Sequence, residues 1–231
     1  MIAIVIPAHN EEEVIGIAIR AALVAAIDPR LEGEEVALFV VLDSCGDATA
    51  QIAAREGART LSVCASNVGL ARAMGADAAI ALGARWLAFT DADTVVSPTW
   101  LADQLSLEAD AVCGSVGVDD WSPHGIYASL LHAHFLRTYM DADGHRHVHG
   151  ANLGVSAAAY RRAGGFRHLA CHEDVDFVRA LEAAGARIAW SAKPRVVTSA
   201  RRHARAQGGF ADALVHAMAP HLPIVSEPLG P

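Results

Sequence analysis

Short apolar runs rich in β-branched residues alternate along the chain with longer alanine-rich segments that have helical spacing. The apolar runs predict strands at residues 2–6, 36–42, 60–64, 86–90, 111–116 and 151–156. The other segments predict helices at residues 14–26, 70–82, 157–163 and 173–184. Such alternation is typical of βαβ units. We therefore expect an α/β fold with a mostly parallel central sheet flanked by helices on both faces.

The composition is that of a globular protein able to bury a sizeable core. With 231 residues, of which 53% are hydrophobic, we expect one domain. The formal net charge of −8 gives no electrostatic signature of nucleic-acid binding, so no nucleic-acid partner is expected. The four cysteines are scattered, and no apolar stretch reaches the roughly 18–20 residues of a membrane span. A cytoplasmic protein without an integral membrane segment follows.

Polar residues follow four of the predicted strands at the point where each strand ends. These polar loops begin at Pro7, Asp43, Asn67 and Asp91. Open α/β sheets bind ligands in the crevice outside the carboxyl ends of their strands. The sequence therefore predicts a site at this edge of the sheet.

The loop Asp91-Ala92-Asp93 places two carboxylates directly after an apolar run. Burying ionised carboxylates without partners costs several kcal/mol, so such a pair faces solvent, pairs with cations or binds a metal. Magnesium and similar cations take one or two protein carboxylates and fill the remaining positions with water and substrate phosphate. A D-x-D loop is common on protein surfaces, but its position after a buried strand favours metal binding.

Four segments carry motifs that form an ordered set: IVIPAHNEE (4–12), VVLDSCGDAT (40–49), FTDADT (89–94) and GGF followed by HEDVDF (164–177). They resemble, in the same order, four motifs of the family 2 glycosyltransferases: the P-x-x-N-E loop, the V-V-D-D-G-S-x-D-x-T segment, the metal-binding D-x-D, and the G-G-F-then-E-D signature. That family has the nucleotide-diphospho-sugar-binding fold called GT-A. The resemblance covers about residues 2–200, and the combination is far more specific than any single motif.

The resemblance implies one GT-A domain over residues 1–219. Its nucleotide-binding half would cover about residues 1–95 and its acceptor-binding half about residues 96–219. Residues 220–231, with four prolines in twelve positions, form a proline-rich tail.

The resemblance also implies roles for individual residues. The nucleotide pocket would be lined by Pro7, Asn10 and Glu11. Asp43 would accept a hydrogen bond from the base, which favours a UDP-sugar donor. Asp91 would face the ribose or the metal, and Asp93 would coordinate the Mn²⁺ or Mg²⁺ that bridges the diphosphate. Arg72 as a pyrophosphate contact resembles only a subset of relatives.

The sequence departs from the family pattern near the base. Leu42 replaces the first aspartate of the usual pair, and residues 44–46 read Ser-Cys-Gly in place of Gly-Ser-Thr. Both departures lie in the segment that would contact uracil.

The pair Glu173-Asp174 is the candidate catalytic unit. By resemblance Asp174 is the base that deprotonates the acceptor hydroxyl, while the metal stabilises the departing diphosphate. A single acidic pair without a candidate covalent nucleophile predicts inversion at the anomeric carbon. The same pair is also typical of a helix N-terminus, and the two interpretations are compatible.

Histidines at positions 145, 147 and 149 alternate and would share one face of a strand. Zinc could bind there, so the alternative function is a zinc-dependent hydrolase using His145, His147 and His149. The other interpretation places His149 at the acceptor, in a site shared with Trp121, Gly150 and Asn152.

A basic segment at residues 198–210 follows the last predicted strand. Arg202 would neutralise the phosphates and His203 would complete the metal shell. The alternative is a solvated basic loop. The expected partners are a nucleotide-sugar donor and a small-molecule or glycan acceptor, and a catalytically silent nucleotide-sugar-binding protein is the remaining alternative. The sequence specifies neither the donor sugar nor the oligomeric state.

Overall fold

The computed structural model describes residues 1–202. Its strands are β1 (Ile2–Ala8), β2 (Val36–Asp43), β3 (Arg59–Val63), β4 (Trp86–Phe89), β5 (Thr94–Val96), β6 (Ala111–Gly114), β7 (Leu153–Ser156), β8 (Ile188–Ser191) and β9 (Val196–Thr198). Its α-helices are α1 (Ile15–Ala25), α2 (Thr49–Arg55), α3 (Val68–Ala81), α4 (Trp100–Leu105), α5 (Ala128–Thr138), α6 (Ala157–Ala163) and α7 (Glu173–Ala183). Short 3₁₀ turns lie at Pro29–Leu31, Ser122–Tyr127 and Gly150–Asn152.

Seven strands form one sheet in the order β3-β2-β1-β4-β7-β6-β8, and β5 pairs with β9 in a separate ribbon. The pairs β1–β2, β1–β4, β2–β3 and β6–β8 are parallel, whereas β7 runs antiparallel to both β4 and β6. The predicted α/β fold with a mostly parallel sheet is confirmed. The order reverses beside β1, which lies between β2 and β4, and such a reversal opens a crevice at the carboxyl edge.

Side chains of β1 alternate between two hydrophobic clusters, one on each face of the sheet. Ile4 packs in the cluster that contains Ile15 of α1 and Trp100 of α4. Val5 packs in the other cluster, together with Phe177 of α7. Because both faces are covered, the central strands are apolar at nearly every position.

Helix α3 lies close to the sheet because Gly75 has no side chain. A Cβ at Gly75 would lie 3.0 Å from Val41 Cγ2 and still closer to Val5. The helix begins at Val68 because the Asn67 side chain accepts a hydrogen bond from Leu70 N at 2.9 Å. This docking brings the first turns of α3 to the carboxyl edge of β1 and β2.

The predicted elements are present, with ends that differ by up to a few residues. The predicted helix 157–163 coincides with α6, whereas the predicted helix 70–82 begins two residues earlier. Helix α5 was not predicted, because Leu131 is its one fully buried residue and an apolar stripe is therefore absent from the pattern.

No helix among residues 1–202 is long and apolar enough to span a membrane. The proline-rich tail predicted at residues 220–231 and the end of the predicted domain at residue 219 lie outside the described residues. The division into halves near residue 95 stays a prediction.

Candidate functional site

The loops that follow β1 and β2 are joined by hydrogen bonds at the carboxyl edge of the sheet. Asn10 Oδ1 accepts a hydrogen bond from Gly46 N at 2.8 Å, and Thr49 Oγ1 accepts one from Glu11 N at 2.8 Å. Asn10 adopts the left-handed conformation, with φ of 53°, which turns the chain sharply at the end of the strand. These bonds fix the backbone of Glu11 beside the segment that follows β2.

An open cleft of about 340 Å³ lies at this edge. It is lined by Asn10, Glu11, Glu13, Val14, Asp93, Ser199, Arg201 and Arg202. The structure thus brings together four residues that the sequence placed in the site, namely Asn10, Glu11, Asp93 and Arg202. Pro7 belongs to β1 and does not line the cleft.

Arg201 joins two carboxylates of the cleft. Its Nη1 donates to Glu11 Oε1 and Oε2 at 2.8 and 3.0 Å, and its Nη2 lies 3.0 Å from Asp93 Oδ2. Sequence reasoning missed Arg201 and selected its neighbour Arg202. A run of basic residues after the last strand was visible, but nothing in it distinguishes Arg201 from Arg202.

Asp93 is a buried carboxylate with a perturbed pKa. Its side chain is 9% exposed, and burial raises its pKa to about 6, against the opposing effect of the Arg201 guanidinium. Asp91 and Glu11 raise the pKa further because they add negative charge nearby. An added cation stabilises the ionised form of such a carboxylate.

The residues present fit a hard divalent cation that binds together with a ligand. The guanidinium between Glu11 and Asp93 shows that the cleft accommodates a positive charge at Asp93. Among residues 1–202, no three His, Cys, Asp or Glu side chains meet in a metal-binding cluster. One carboxylate is sufficient for magnesium or manganese when water and phosphate fill the other positions. His203, the predicted third ligand, lies outside the described residues.

Arg72 of α3 holds two other carboxylates together. Its side chain is 4% exposed, its Nη2 donates to Asp91 Oδ1 at 2.5 Å, and its Nη1 donates to Glu173. Both terminal nitrogens are therefore engaged with the protein itself. The contact of Arg72 with pyrophosphate stays a prediction, and the geometry shows Arg72 holding Asp91 and Glu173 together.

Glu173 and Asp174, at the start of α7, have different environments. Glu173 is buried against Arg72, and burial raises its pKa although the guanidinium opposes the shift. Asp174 is only half-buried: its Oδ2 accepts from Gly150 N at 2.9 Å and its Oδ1 from Val175 N at 2.8 Å. Asp174 is thus the more accessible carboxylate, whereas Glu173 is buried and held by Arg72.

Gly150 lies between Arg72 and Asp174. A Cβ at this position would lie 2.8 Å from Arg72 Nη1 and closer still to other guanidinium atoms. Gly150→Ala should displace either Arg72 or the N–H that binds Asp174, and we expect it to lower the free energy of unfolding by about 1–3 kcal/mol. Urea denaturation measures this change.

Gly117→Ala is the matched control. Its added Cβ would make ordinary contacts of 3.6 Å or longer, so we expect a change within about 0.5 kcal/mol. Equal losses in both variants would contradict the account of Gly150.

Asp43 does not present a free carboxylate to a base. It accepts hydrogen bonds from Ser44 Oγ at 2.9 Å and from the N–H groups of Ala65, Ser66 and Asn67 at 2.9, 2.8 and 2.6 Å. Burial opposes ionisation, but these donors prevail and lower its pKa. A carboxylate has about four acceptor positions. Three of these bonds end on Oδ1 and one on Oδ2, so Asp43 holds the loop before α3, and its contact with the base stays a prediction.

One of the four predicted acceptor residues, Asn152, lies in the interior of the protein. Asn152 is fully buried and bonds to Trp100 Nε1 at 2.8 Å and to the carbonyl oxygens of Ser115 and Pro194 at 2.7 and 3.0 Å. It has no surface to offer an acceptor, so the assignment of Asn152 is corrected to a structural role.

The other predicted acceptor residues lie in two places. Gly150 N donates to Asp174 Oδ2 at 2.9 Å, and His149 precedes Gly150 in the chain. Trp121 is 7% exposed and packs against α5, with its ring centroid 5.5 Å from those of His132 and Phe135. Their contact with an acceptor stays a prediction.

Residues 145–149 lie outside the strands of the structure. The rings of His145 and His147 stack with centroids 5.5 Å apart, and Tyr139 stacks on His147 at 4.1 Å. His149 Nε2 lies 3.0 Å from the Tyr139 hydroxyl, and burial lowers the pKa of His149 to about 4. The histidines pack as a stack, and within residues 1–202 they form no metal-binding cluster. The hydrolase alternative therefore has no support.

Comparison with solved structures shows a shared fold. The chain is similar to residues 1–349 of S. aureus TarS in complex with UDP-GlcNAc, with 15% identity, a TM-score of 0.65 and coverage of 95% of this chain and 65% of that one. It is similar to the mannosyltransferase PcManGT from Pyrobaculum calidifontis in complex with GDP-Man and Mn²⁺, with 17% identity, a TM-score of 0.61 and coverage of 88% and 58%.

A third similar structure is glucosyl-3-phosphoglycerate synthase from Mycobacterium tuberculosis in complex with Mn²⁺ and UDP-glucose. Its identity is 17%, its TM-score is 0.58, and the match covers 88% of this chain and 72% of that one. At these identities the likeness establishes the fold, which is GT-A.

Sequence comparison gives the family. No curated protein sequence matches the chain. The model of the family "Glycosyl transferase family 2" matches residues 3–164, which is well over half of the 231 residues. The predicted resemblance is confirmed: the chain belongs to glycosyl transferase family 2.

Proposed function

We propose that the chain is a metal-dependent, inverting glycosyltransferase that moves a sugar from a nucleotide diphosphate donor to a hydroxyl group of a small-molecule or glycan acceptor. The observation that carries the proposal is the Arg72 bridge, which ties Asp91 on the donor side to Glu173 beside the candidate base. Family membership and the nucleotide sugars bound to TarS, PcManGT and the M. tuberculosis synthase support the donor class.

The cleft beside Asp93 is the proposed donor site. Asn10 and Glu11 form one wall, and Arg202 supplies positive charge for the phosphates on the other. Asp93, with Asp91 nearby, would hold the cation, and the Mn²⁺ bound to two of the similar structures supports a divalent ion. When bound, that ion acts as a Lewis acid for the departing diphosphate. A role for His203 in the same shell stays a prediction.

Asp174 is the proposed general base. Its carboxylate is oriented by the N–H groups of Gly150 and Val175 at 2.9 and 2.8 Å and remains accessible, so an acceptor hydroxyl can donate its proton to a carboxylate oxygen as it attacks. Arg72 keeps Glu173, the preceding residue, in place. One base and one displacement give inversion at the anomeric carbon.

The nucleobase of the donor is left unassigned by the contacts of Leu42 and Asp43. Leu42 is buried, and Asp43 accepts three hydrogen bonds of its own chain at Oδ1 and one at Oδ2, so these two residues do not by themselves select uracil. UDP-sugars stay the first donors to test by resemblance, but GDP- and dTDP-sugars belong in the same experiment.

The cytoplasmic location stays a prediction. All four cysteines are free thiols, which agrees with a reducing compartment.

Donor binding gives the first test. We expect one class among UDP-, GDP- and dTDP-sugars to raise the thermal midpoint of the wild type in Mn²⁺ and not in chelator. A donor at a hundredfold excess over Kd adds about 2.7 kcal/mol of stability. Asp93→Ala should lose the shift, and the control Asp77→Ala, on the exposed face of α3, should retain it. The proposal fails if no donor shifts the wild type, or if Asp93→Ala responds as the wild type does.

A further inference from the structure

Arg201 occupies the position beside Asp93 at which the proposed function requires a divalent cation. We propose that Arg201 is an exchangeable counter-cation: it neutralises Glu11 and Asp93 in the metal-free chain and must leave Asp93 before a divalent cation binds there. This inference rests on the metal site of the proposed function. It adds that the guanidinium and the metal exclude one another.

The geometry shows one guanidinium shared by two carboxylates from different loops. Nη1 lies 2.8 and 3.0 Å from the Glu11 oxygens, while Nη2 reaches Asp93 at 3.0 Å. The side chains of Glu11 and Asp93 are 6% and 9% exposed, respectively. Two anions so deeply buried require a positive partner, and Arg201 supplies it.

The charges explain why the two cations compete. Arg201 leaves a net charge of about −1 on the three side chains, because two carboxylates face one guanidinium. A divalent ion bound to Asp93 with Arg201 still in place would lie within a few Å of the guanidinium, because Arg201 Nη2 is 3.0 Å from Asp93 Oδ2. In a cleft partly shielded from water the repulsion between the two cations is strong, so one cation has to move.

Arg201 is the partner able to move. Glu11 is fixed by the hydrogen bond from its N–H to Thr49, and Asp93 lies in the short connection between β4 and β5. The Arg201 side chain is 30% exposed and faces an open cleft. Its displacement would leave the sheet edge unchanged.

The released guanidinium has a destination in the same cleft. Arginine pairs well with phosphate oxygens, and the donor diphosphate is proposed to bind here. Donor and metal should therefore strengthen each other's binding, because the diphosphate receives the group that the metal displaces. By linkage the coupling is reciprocal.

Binding of Mn²⁺ alone, measured by electron paramagnetic resonance of the free ion, tests the exchange without donor or turnover. Arg201→Gln should bind Mn²⁺ at least about tenfold more tightly than the wild type, because no guanidinium has to be displaced. Arg202→Gln is the matched control: it removes the same charge from the same cleft, and among the described ion pairs Arg202 contacts neither Glu11 nor Asp93. Its effect should be smaller than about threefold.

Two further variants keep the test decisive. Arg201→Lys retains the charge but cannot span both carboxylates, so its affinity for Mn²⁺ should lie between those of the wild type and Arg201→Gln. If Arg201→Gln does not fold, Arg201→Lys decides. Adding Asp93→Asn to Arg201→Gln should abolish the gain, and a gain that persists would place the ion elsewhere and overturn the inference.

The exchange and the proposed function fail separately. If Arg201→Gln and Arg201→Lys bind Mn²⁺ no more tightly than the wild type, the exchange is wrong even if a donor binds. If both bind Mn²⁺ more tightly and no nucleotide sugar binds, the exchange stands and the transferase does not.

Discussion

Asp174→Asn is expected to lower the rate of sugar transfer by about 10²–10⁴-fold while leaving donor affinity unchanged. The substitution keeps the shape of the side chain but removes its ability to take a proton. Because Asn has one acceptor oxygen for the N–H groups of Gly150 and Val175, the free energy of unfolding should also fall by about 1–2 kcal/mol. Steady-state kcat and donor Kd, measured together, separate the two effects.

Asp176→Asn is the matched control on the same helix turn. Asp176 pairs with Arg167, whose side chain is 71% exposed, and among the ion pairs of residues 1–202 neither is joined to Asp174. We expect its turnover to equal that of the wild type. Asp174 is not the base if its Asn variant keeps turnover within tenfold of the wild type, or if Asp176→Asn loses as much.

Asp93→Asn is expected to stabilise the metal-free protein near neutral pH and to abolish its function. The ordinary pKa of 3.8 applies to Asp93 in the unfolded chain, whereas the pKa in the folded chain is about 6. Between these values the folded chain holds a proton that the unfolded chain has lost, so stability falls as pH rises through this window. The whole cost is present above pH 6, and the variant lacks it.

At pH 8 in chelator, Asp93→Asn should unfold with a free energy about 1–3 kcal/mol larger than the wild type. The difference should shrink as the pH falls through this window and be small at about pH 4, where Asp93 is protonated in the folded chain and about half protonated in the unfolded chain. Urea denaturation from pH 4 to 8 measures this dependence. A variant less stable than the wild type at pH 8 would contradict the picture of a buried, poorly compensated charge.

The same variant should lose metal-dependent donor binding and at least about 10²-fold in turnover, since a preorganised charge at the leaving group is gone. Stability gained together with function lost is the behaviour of a residue kept for function rather than for folding.

The fold was predictable because the apolar pattern of each strand is a local property of the sequence. The apolar runs that became β1, β2 and β4 are buried on both faces, so their sequences are continuously apolar and easy to recognise. The position of the site at one edge of the sheet follows from the strand assignment, since parallel strands bring their carboxyl ends together. The antiparallel position of β7 did not follow, because strand direction depends on connections rather than on the apolar pattern.

The contacts within the site were not predictable, because they join residues far apart in the chain. Arg72 and Glu173 are 101 positions apart, and Arg201 and Glu11 are 190 apart. Asp43 shows the same limit at shorter range: its four donors converge only because the loop at Ser66 turns with φ of 48°. The residue types at the carboxyl edge of the sheet can be read from the sequence, whereas their pairing depends on tertiary structure.

The alternating histidines at 145–149 left two interpretations open. The three rings lie side by side outside the named strands, with Tyr139 stacked on His147. Imidazole rings pack against aromatic rings as readily as they bind metals, and sequence spacing does not separate the two outcomes.

Sugar transfer itself is the central claim, and the anomeric configuration of the product tests it most directly. Wild type and Asp174→Asn would each be incubated with Mg²⁺, the nucleotide sugar found to bind, and fractions of an extract that contains candidate acceptors. Proton NMR would follow the reaction. We predict release of nucleoside diphosphate and a product of inverted configuration from the wild type, with little from Asp174→Asn. Retained configuration would contradict the single-displacement mechanism with Asp174 as base, and a bound donor that no fraction consumes would identify a silent binding protein instead.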